Sequence, residues 1–381
     1  MPHSAHAVHA VHAVHAVHAV HAVHAVHAVI AGVDTHTDQP VLAALSAQGV
    51  LLGTAAFPTT PAGYRAALAW LRTFGTLTQV GMEGTGSWGS GLCTFLHAQG
   101  VPVREVTRPS RQWRHRRGKT DAVDAEAAAR TVLAQQALGT PQVRTGRVEA
   151  LRLLRVARRS ALKARTQAAN QLHAVVDTAP MALRQQLRAL SIKALVQTAR
   201  RWRPGAPTTP LVAARYTLKL LAQRWQELSA EIAQVDQAVQ RLVAATAPHL
   251  LATVGVGPDT AAALLIAAGE QPERLRSEAA FAALCGVSPV EASSGRQQRH
   301  RLNRGGNRQA NGALWTITMV RLRYERATQA YCARRTQAGK RTKEIIRCLK
   351  RSVAREVYDL LRNVLPEAPS GVRPGGLPAH T

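Results

Sequence analysis

Residues 28–34 read AVIAGVD, an apolar run of β-forming residues that stops on an acid, and the elements after it follow in a definite order. Two further strands are expected at Pro40–Leu45 and Gly49–Phe57, split by a turn at Gln48-Gly49. Thr60–Phe74 has helical spacing, with Thr59 or Thr60 as N-cap and Pro61 in the first turn. Leu77–Met82 is a short strand that delivers Glu83. A helix over Ser87–Gln99 follows, then a strand over Val101–Val106. Thr120–Leu133 is an alanine-rich helix opened by Thr120-Asp121. The order β-β-β-α-β-α-β-α predicts a mixed sheet flanked by helices, an α/β layer of RNase H-like type.

Four acids fall at element ends in this scheme. Asp34 closes the first strand, Glu83 follows the fourth, and Asp121 and Asp124 stand three residues apart, so they share one helix face. Hard oxygen ligands drawn from neighbouring elements suit Mg²⁺ or Mn²⁺, which also accept phosphate oxygens. Two such ions can clamp the attacking and leaving oxygens of a phosphodiester. The competing reading makes each acid a helix cap or a surface charge.

The charge balance points to the same partner. Lys plus Arg number 49 against 22 Asp plus Glu, a net +27, and none of these residues lies in the first 30 positions. Such an excess marks a polyanion-binding protein rather than one serving only a small acidic metabolite. Aromatics at 4% argue against a stacking platform for single strands, so Arg–phosphate contacts should dominate. No apolar run approaches the roughly 20 residues of a membrane span. The four cysteines show no Cys-x-x-Cys pairing, so neither a zinc module nor a disulfide framework is suggested, and a reducing cytosol fits. Residues 6–29 are eight copies of His-Ala-Val; period three offers imidazoles no fixed coordinating face, and 1–29 is expected to be a disordered, functionless extension whose last units lead into the first strand.

Between the fifth strand and Asp121, residues 104–119 carry seven basic side chains against one Glu. Arg108, Arg111, Arg114, Arg116, Arg117 and Lys119 would hold a nucleic-acid backbone beside the acids, or form a solvated basic loop. The first of two long helices, over 145–177, is rich in Arg. In the second, over 211–245, Leu218, Leu221, Trp225, Leu228, Ile232, Val235, Val239 and Leu242 alternate steps of three and four, a coiled-coil seam. The two helices are expected to pair as an antiparallel stalk over 141–248, by packing within the chain, by dimerisation, or both. Gly255-Val256-Gly257 lies between two helical stretches and reads as a phosphate-gripping turn of helix-hairpin-helix type, or as a plain helix–helix turn. Residues 286–311, GVSPVEASSGRQQRHRLNRGGNRQAN, place Ser293-Ser294-Gly295 before Arg296, Arg299, Arg301, Arg304 and Arg308; by residue chemistry this is a phosphate-binding loop. Arg341–Leu361 is an amphipathic basic helix, and 364–381, rich in Pro and Gly, is expected to be disordered.

The stretches GVDTHTD at 32–38, MEGTGSWGSGL at 82–92, VREVTRP at 103–109 and GKTDAVDA at 118–125 resemble the DEDD transposases of bacterial insertion sequences, the insertion sequence 110 family. The likeness runs from about Ile30 to Leu361. It implies a RuvC-like domain over 30–140 with Asp34, Glu83, Asp121 and Asp124 as catalytic metal ligands, and a mostly α-helical C-terminal transposase domain over 249–363. There the Ser-Gly segment resembles the family's nucleophile, which falls on Ser294, with Ser293 as second choice. The resemblance also implies donor and target DNA as substrates, a structured bridge RNA as guide, and a bacterial, nucleoid-associated setting. A dimer or tetramer is implied as well, bringing the two catalytic parts together from different protomers. A RuvC-like nuclease or junction resolvase without serine chemistry, and an inactive nucleic-acid binder, are the rival readings.

Overall fold

The computed structural model describes residues 27–106, 120–136, 139–142, 144–270 and 275–363. Most of the His-Ala-Val repeat, residues 107–119 with Arg108, Arg111, Arg114, Arg116, Arg117 and Lys119, and residues 364–381 lie outside the described residues. The chain divides into two compact units, one ending at Arg144 and the other beginning at Thr145.

In the first unit, β1 (Ala28–Asp34), β2 (Val41–Ser46), β3 (Leu51–Ala56), β4 (Thr76–Met82) and β5 (Val103–Glu105) form one sheet in the order β3-β2-β1-β4-β5. The hairpins β1–β2 and β2–β3 are antiparallel, while β4 and β5 join in parallel. The expected mixed sheet is therefore present, and its first strand takes in Ala28 and Val29 of the last His-Ala-Val unit. Local chemistry sets the boundaries. Ser46 Oγ accepts from the N–H groups of Gln48 and Val50, both at 3.2 Å, and closes the β2–β3 turn. Thr60 caps helix α1 (Pro61–Thr73) by accepting from Gly63 N at 3.1 Å, with Pro61 in the first turn.

Strand alternation gives the sheet two faces. Val29, Ala31, Val33, Val80, Met82 and Val103 pack into a core with α1 and helix α2 (Ser90–Ala98). The opposite face carries helix α3 (Asp121–Leu133). Gly32 and Gly81 are register partners on β1 and β4, and together they form a trough. A Cβ at Gly32 would stand 2.1 Å from Ala125 O and 2.2 Å from Ala129 N; one at Gly81 would stand 2.5 Å from Ala128 O. Two glycines below and a stripe of alanines above thus let a helix lie on strand backbone.

In the second unit, α4 (Arg147–Thr178) and α7 (Pro210–Thr246) run antiparallel. At one end Leu172 and Val176 meet Leu218 and Ala222, with α5 (Met181–Leu187) and α6 (Ile192–Arg201) completing that core. At the other end Val148 and Leu151 of α4 join Val239 and Val243 of α7 in a larger core. That core also holds α9 (Pro258–Ala268), α11 (Arg308–Tyr324) and α13 (Thr342–Arg362), so the base of the helix pair and the C-terminal helices share one interior. Short helices α8 (Pro248–Leu251), α10 (Glu278–Leu284) and α12 (Arg326–Gln337) link them. Leu218, Ile232 and Val239 of the anticipated α7 seam are buried, and α4 of the same chain packs on α7.

Candidate functional site

The acids of the first unit gather at the carboxyl end of β1 and β4. Val33 pairs with Met82, so Asp34 and Glu83 leave the sheet side by side. Alternation puts both on the face of Gly32 and Gly81, beneath α3. That helix runs opposite to the strands: Gly32 meets Ala125 and Ala129, whereas Ile30, earlier on β1, packs with Ala128 and Val132. Its first turn therefore lies over the strand ends. Asp121 and Asp124 continue the stripe of Ala125, Ala128 and Val132 beyond the sheet edge, with one-turn spacing. Thr120 fixes the start of the helix by accepting from Val123 N at 3.3 Å. Thr35 Oγ1 donates to Glu83 O at 3.2 Å and pins the two strand ends together. The positive pole of α3 favours carboxylates at this place.

Asp34, Glu83 and Asp124 are half-buried and Asp121 is exposed. The Oδ1 of Asp124 is buried with no hydrogen-bond partner. A carboxylate oxygen in that state is costly, and a hard cation would offset the cost, so the donor set fits Mg²⁺ or Mn²⁺. Among the described residues, no three His, Cys, Asp or Glu side chains already stand in metal-ligating reach of one another. The four acids share an edge rather than a closed cage.

Two further residues at this edge, counted in the basic stretch 104–119 but given no role of their own there, take distinct places. Glu105 on β5 pairs with Met82 but has the parity of Val103, so it faces the α2 side. There it accepts from Thr85 Oγ1 at 2.9 Å. Burial, with the Glu105 charge adding to it against Arg144, pushes the Cys93 thiol up to about 11. Arg104 is the register partner of Gly81 and shares the α3 face; its Nε is buried without a partner. Only sheet parity, which needs the pairing, separates these two roles. Beyond Glu83, Ser87 Oγ donates to Gly84 O at 3.1 Å and holds a tight loop whose Trp88 is 60% exposed, 6.2 Å from the His36 ring.

In the second unit the Ser-Gly segment is the tip of a hairpin. Strands β6 (Val290–Glu291) and β7 (His300–Arg301) pair antiparallel, and Ala292 N donates to Arg299 O at 2.8 Å. Ser294 and Gln297 exchange backbone hydrogen bonds of 3.2 and 3.1 Å around Gly295-Arg296. Gly295 takes φ +57°, the first central position of a two-residue turn that needs glycine there. The two serines then differ. Ser293 Oγ accepts from Arg299 N at 3.2 Å and is spent on the hairpin. The Ser294 hydroxyl is exposed and makes no hydrogen bond among the described residues. Arg296, Arg299, Arg301, Arg304 and Arg308 are all exposed along the same segment. Its base is anchored: Asn303 Nδ2 donates to Ala283 O at 3.0 Å, Asn307 N to Leu284 O at 2.7 Å, and Asn311 Nδ2 to Cys285 O at 2.8 Å.

The Gly255-Val256-Gly257 turn uses its groups differently from the phosphate-gripping expectation. Gly255 takes φ +84° and packs against Ile317 O, while Gly257 N donates to Thr260 Oγ1 at 3.0 Å. The next helix carries its own anion. Asp259 receives Arg155 through two bonds of 3.0 and 3.2 Å, and Arg158 pairs with both Asp236 and Asp259. Burial alone would raise the Asp259 carboxyl, but the Arg155 hydrogen bond and the charges of Arg155, Arg158 and Arg159 hold it below the usual range. Arg155 also donates to Gln309 Oε1 at 2.8 Å. Arg155 and Arg158 of α4 are thus held by acids within the unit, and the Gly257 N–H is held by Thr260.

A family model for DEDD transposases of the IS110 type, described as a transposase, matches residues 31–180. A second, described as the transposase IS116/IS110/IS902 family, matches residues 247–333. A search of curated proteins returns no match.

Proposed function

The chain belongs to the IS110 family of transposases and is a DNA transposase/recombinase; on that premise we propose that Ser294 is its nucleophile, that Asp34, Glu83, Asp121 and Asp124 hold its divalent metal, and that a structured RNA guides it. One observation carries the serine assignment. Of two adjacent hydroxyls, the Ser293 hydroxyl is tied to Arg299 N, and the Ser294 hydroxyl stands untied on an anchored tip lined by guanidiniums.

The chemistry follows from that placement. Attack by Ser294 Oγ on a phosphodiester breaks one P–O bond of the strand, forms a P–Oγ bond and releases a strand hydroxyl. The Ser294 Oγ proton passes to solvent or to a base, and the leaving strand oxygen takes up a proton. Attack by the hydroxyl of another strand reverses the exchange, so joining needs no ATP. Arg296 and Arg299 offer planar, permanently charged donors to the crowded phosphoryl oxygens, where charge builds in the transition state. The family generally uses divalent ions; the chemistry a bound ion supplies is positive charge at phosphate oxygens. Asp34 and Glu83 from the strand ends and Asp121 and Asp124 from the helix start would hold it. The basic residues Arg108, Arg111, Arg114, Arg117 and Lys119, together with Arg301, Arg304 and Arg308, are proposed to bind nucleic-acid backbone. The RNA guide and assembly as a dimer or tetramer rest on the family resemblance; a chain rich in Arg and poor in aromatics is compatible with such a guide.

Mapping the covalent protein–DNA adduct tests the reading. Ser294→Ala should abolish adduct and strand joining, while Ser293→Ala lowers both by destabilising the hairpin without removing them. Cleavage and joining retained in Ser294→Ala would favour a water-using, metal-dependent nuclease. Ribonuclease treatment that leaves target choice unchanged would remove the guide.

A further inference from the structure

Beneath the hairpin, a cavity of about 590 Å³ opens between its two legs and α13. Its volume lies within the roughly 300–1,000 Å³ typical of small-molecule sites. One side is apolar, formed by Val287, Pro289 and Leu302. The α13 side carries four cations, Arg347, Lys350, Arg351 and Arg355, and Arg304 adds a fifth from the hairpin leg. Glu278 pairs with Arg351 and lies 3.9 Å from Arg355, which leaves Arg304 and Arg347 at the rim without a counter-charge among the described residues. Lys350 is set deeper. Its Nζ donates to Asn311 Oδ1, and Asn311 in turn donates to Cys285 O and Gly286 O. Burial lowers the Lys350 pKa from its ordinary value.

Size and polarity together select the occupant. About 8 Å across if compact, the space admits one flat base and one phosphate, but no double helix, which needs an open groove. An apolar wall opposite guanidiniums matches a nucleotide, base against the wall and phosphate on the cations. A base leaves its stack most cheaply where it is already unpaired. Resting on the reading that the hairpin carries nucleic acid to Ser294, we infer that this cavity takes a single unpaired nucleotide of the bound strand.

Cys348 lines the cavity and is exposed, whereas Cys93 and Cys285 are buried, with thiols that burial pushes up to about 11 and about 12. In the full chain carrying Cys332→Ser, the alkylation rate of Cys348 by N-ethylmaleimide therefore reports occupancy. Four probes are compared: a duplex with a one-nucleotide bulge, the same duplex with an abasic bulge, the fully paired duplex, and free dAMP, the duplexes at equal saturation measured by anisotropy. The bulged duplex should slow alkylation about tenfold, as expected at about ten times its Kd. The abasic and paired duplexes should leave the rate within about twofold of the free protein. Arg347→Ala should remove most of the protection. Equal protection by the paired or abasic duplex would overturn the inference in favour of a backbone groove. No protection at saturation would overturn it outright, and protection by dAMP but not by the bulge would assign the cavity to a soluble nucleotide. Ser294→Ala should leave the protection intact, so failure of the serine chemistry and failure of this inference are read separately.

Discussion

Gly32→Ala addresses the packing that places Asp121 and Asp124. The added Cβ would meet Ala125 O at 2.1 Å and Ala129 N at 2.2 Å, against an ordinary contact of 3.4 Å or more. The helix must rise by more than 1 Å, or β1 must sink into a core already filled by Val29, Ala31 and Val33. Overpacking of a well-filled core costs about 1–3 kcal/mol, and contact with main chain on both sides puts this case at about 3 kcal/mol. For a unit of this size, each kcal/mol lowers Tm by about 3–5 °C, so the first unit should melt about 10–15 °C lower. Calorimetry of the full chain, with strand cleavage measured below the transition, provides the assay. Cleavage should fall as well, because raising the helix carries two of the four carboxylates off the strand ends. Since the atoms met are backbone, trimming Ala125 or Ala129 to Gly should not rescue the variant. Gly86→Ala, whose Cβ would meet only the mobile end of Arg144, should cost less than about 1 kcal/mol. Wild-type melting and cleavage in Gly32→Ala would refute a helix seated on strand backbone, and with it the shared edge of the four acids.

Further outcomes follow from single groups. Mn²⁺ or Mg²⁺ should stabilise the first unit by about 2.7 kcal/mol at 100 times Kd, read as a rise in Tm, and Asp124→Asn should remove most of that gain. Arg155→Ala should cost about 2–3 kcal/mol, below the usual figure for breaking a buried pair because Asp259 keeps Arg158 and some water. The Asp259 carboxyl is held below its unfolded value, so its contribution is present above about pH 4 and lost as pH falls through the folded value. Arg155→Ala should flatten that acid limb in a Tm-versus-pH series. Cys93 and Cys285, held up by burial, contribute below about pH 8.5, and that contribution fades as pH rises toward about 11 and about 12. Alkylation of the native chain at pH 8 should accordingly mark Cys348 before either of them.

Much of this was written locally and could be read locally. The bounds of β1, α3, α4 and α7 follow from apolar spacing and caps within a few residues of each other, as at Thr120 with Val123 N and Thr209 with Val212 N. The acids at the ends of β1 and β4 and on the first turn of α3 were visible for the same reason, since an element's end is a local event. What required tertiary structure is the use of each group by partners far along the chain. Glu105 and Arg104 are neighbours in sequence, yet pairing with β4 sends one to each side of the sheet. Arg155 is one of many arginines along a basic helix, and only Asp259, 104 residues later, shows where its guanidinium goes. Ser293 and Ser294 are chemically alike, and the fold of the hairpin back to Arg299 ties the first hydroxyl and leaves the second exposed. Periodicity and capping are properties of a few consecutive residues, whereas face, partner and exposure are properties of contacts between segments, so the chain alone determined its elements and tertiary packing assigned their side chains.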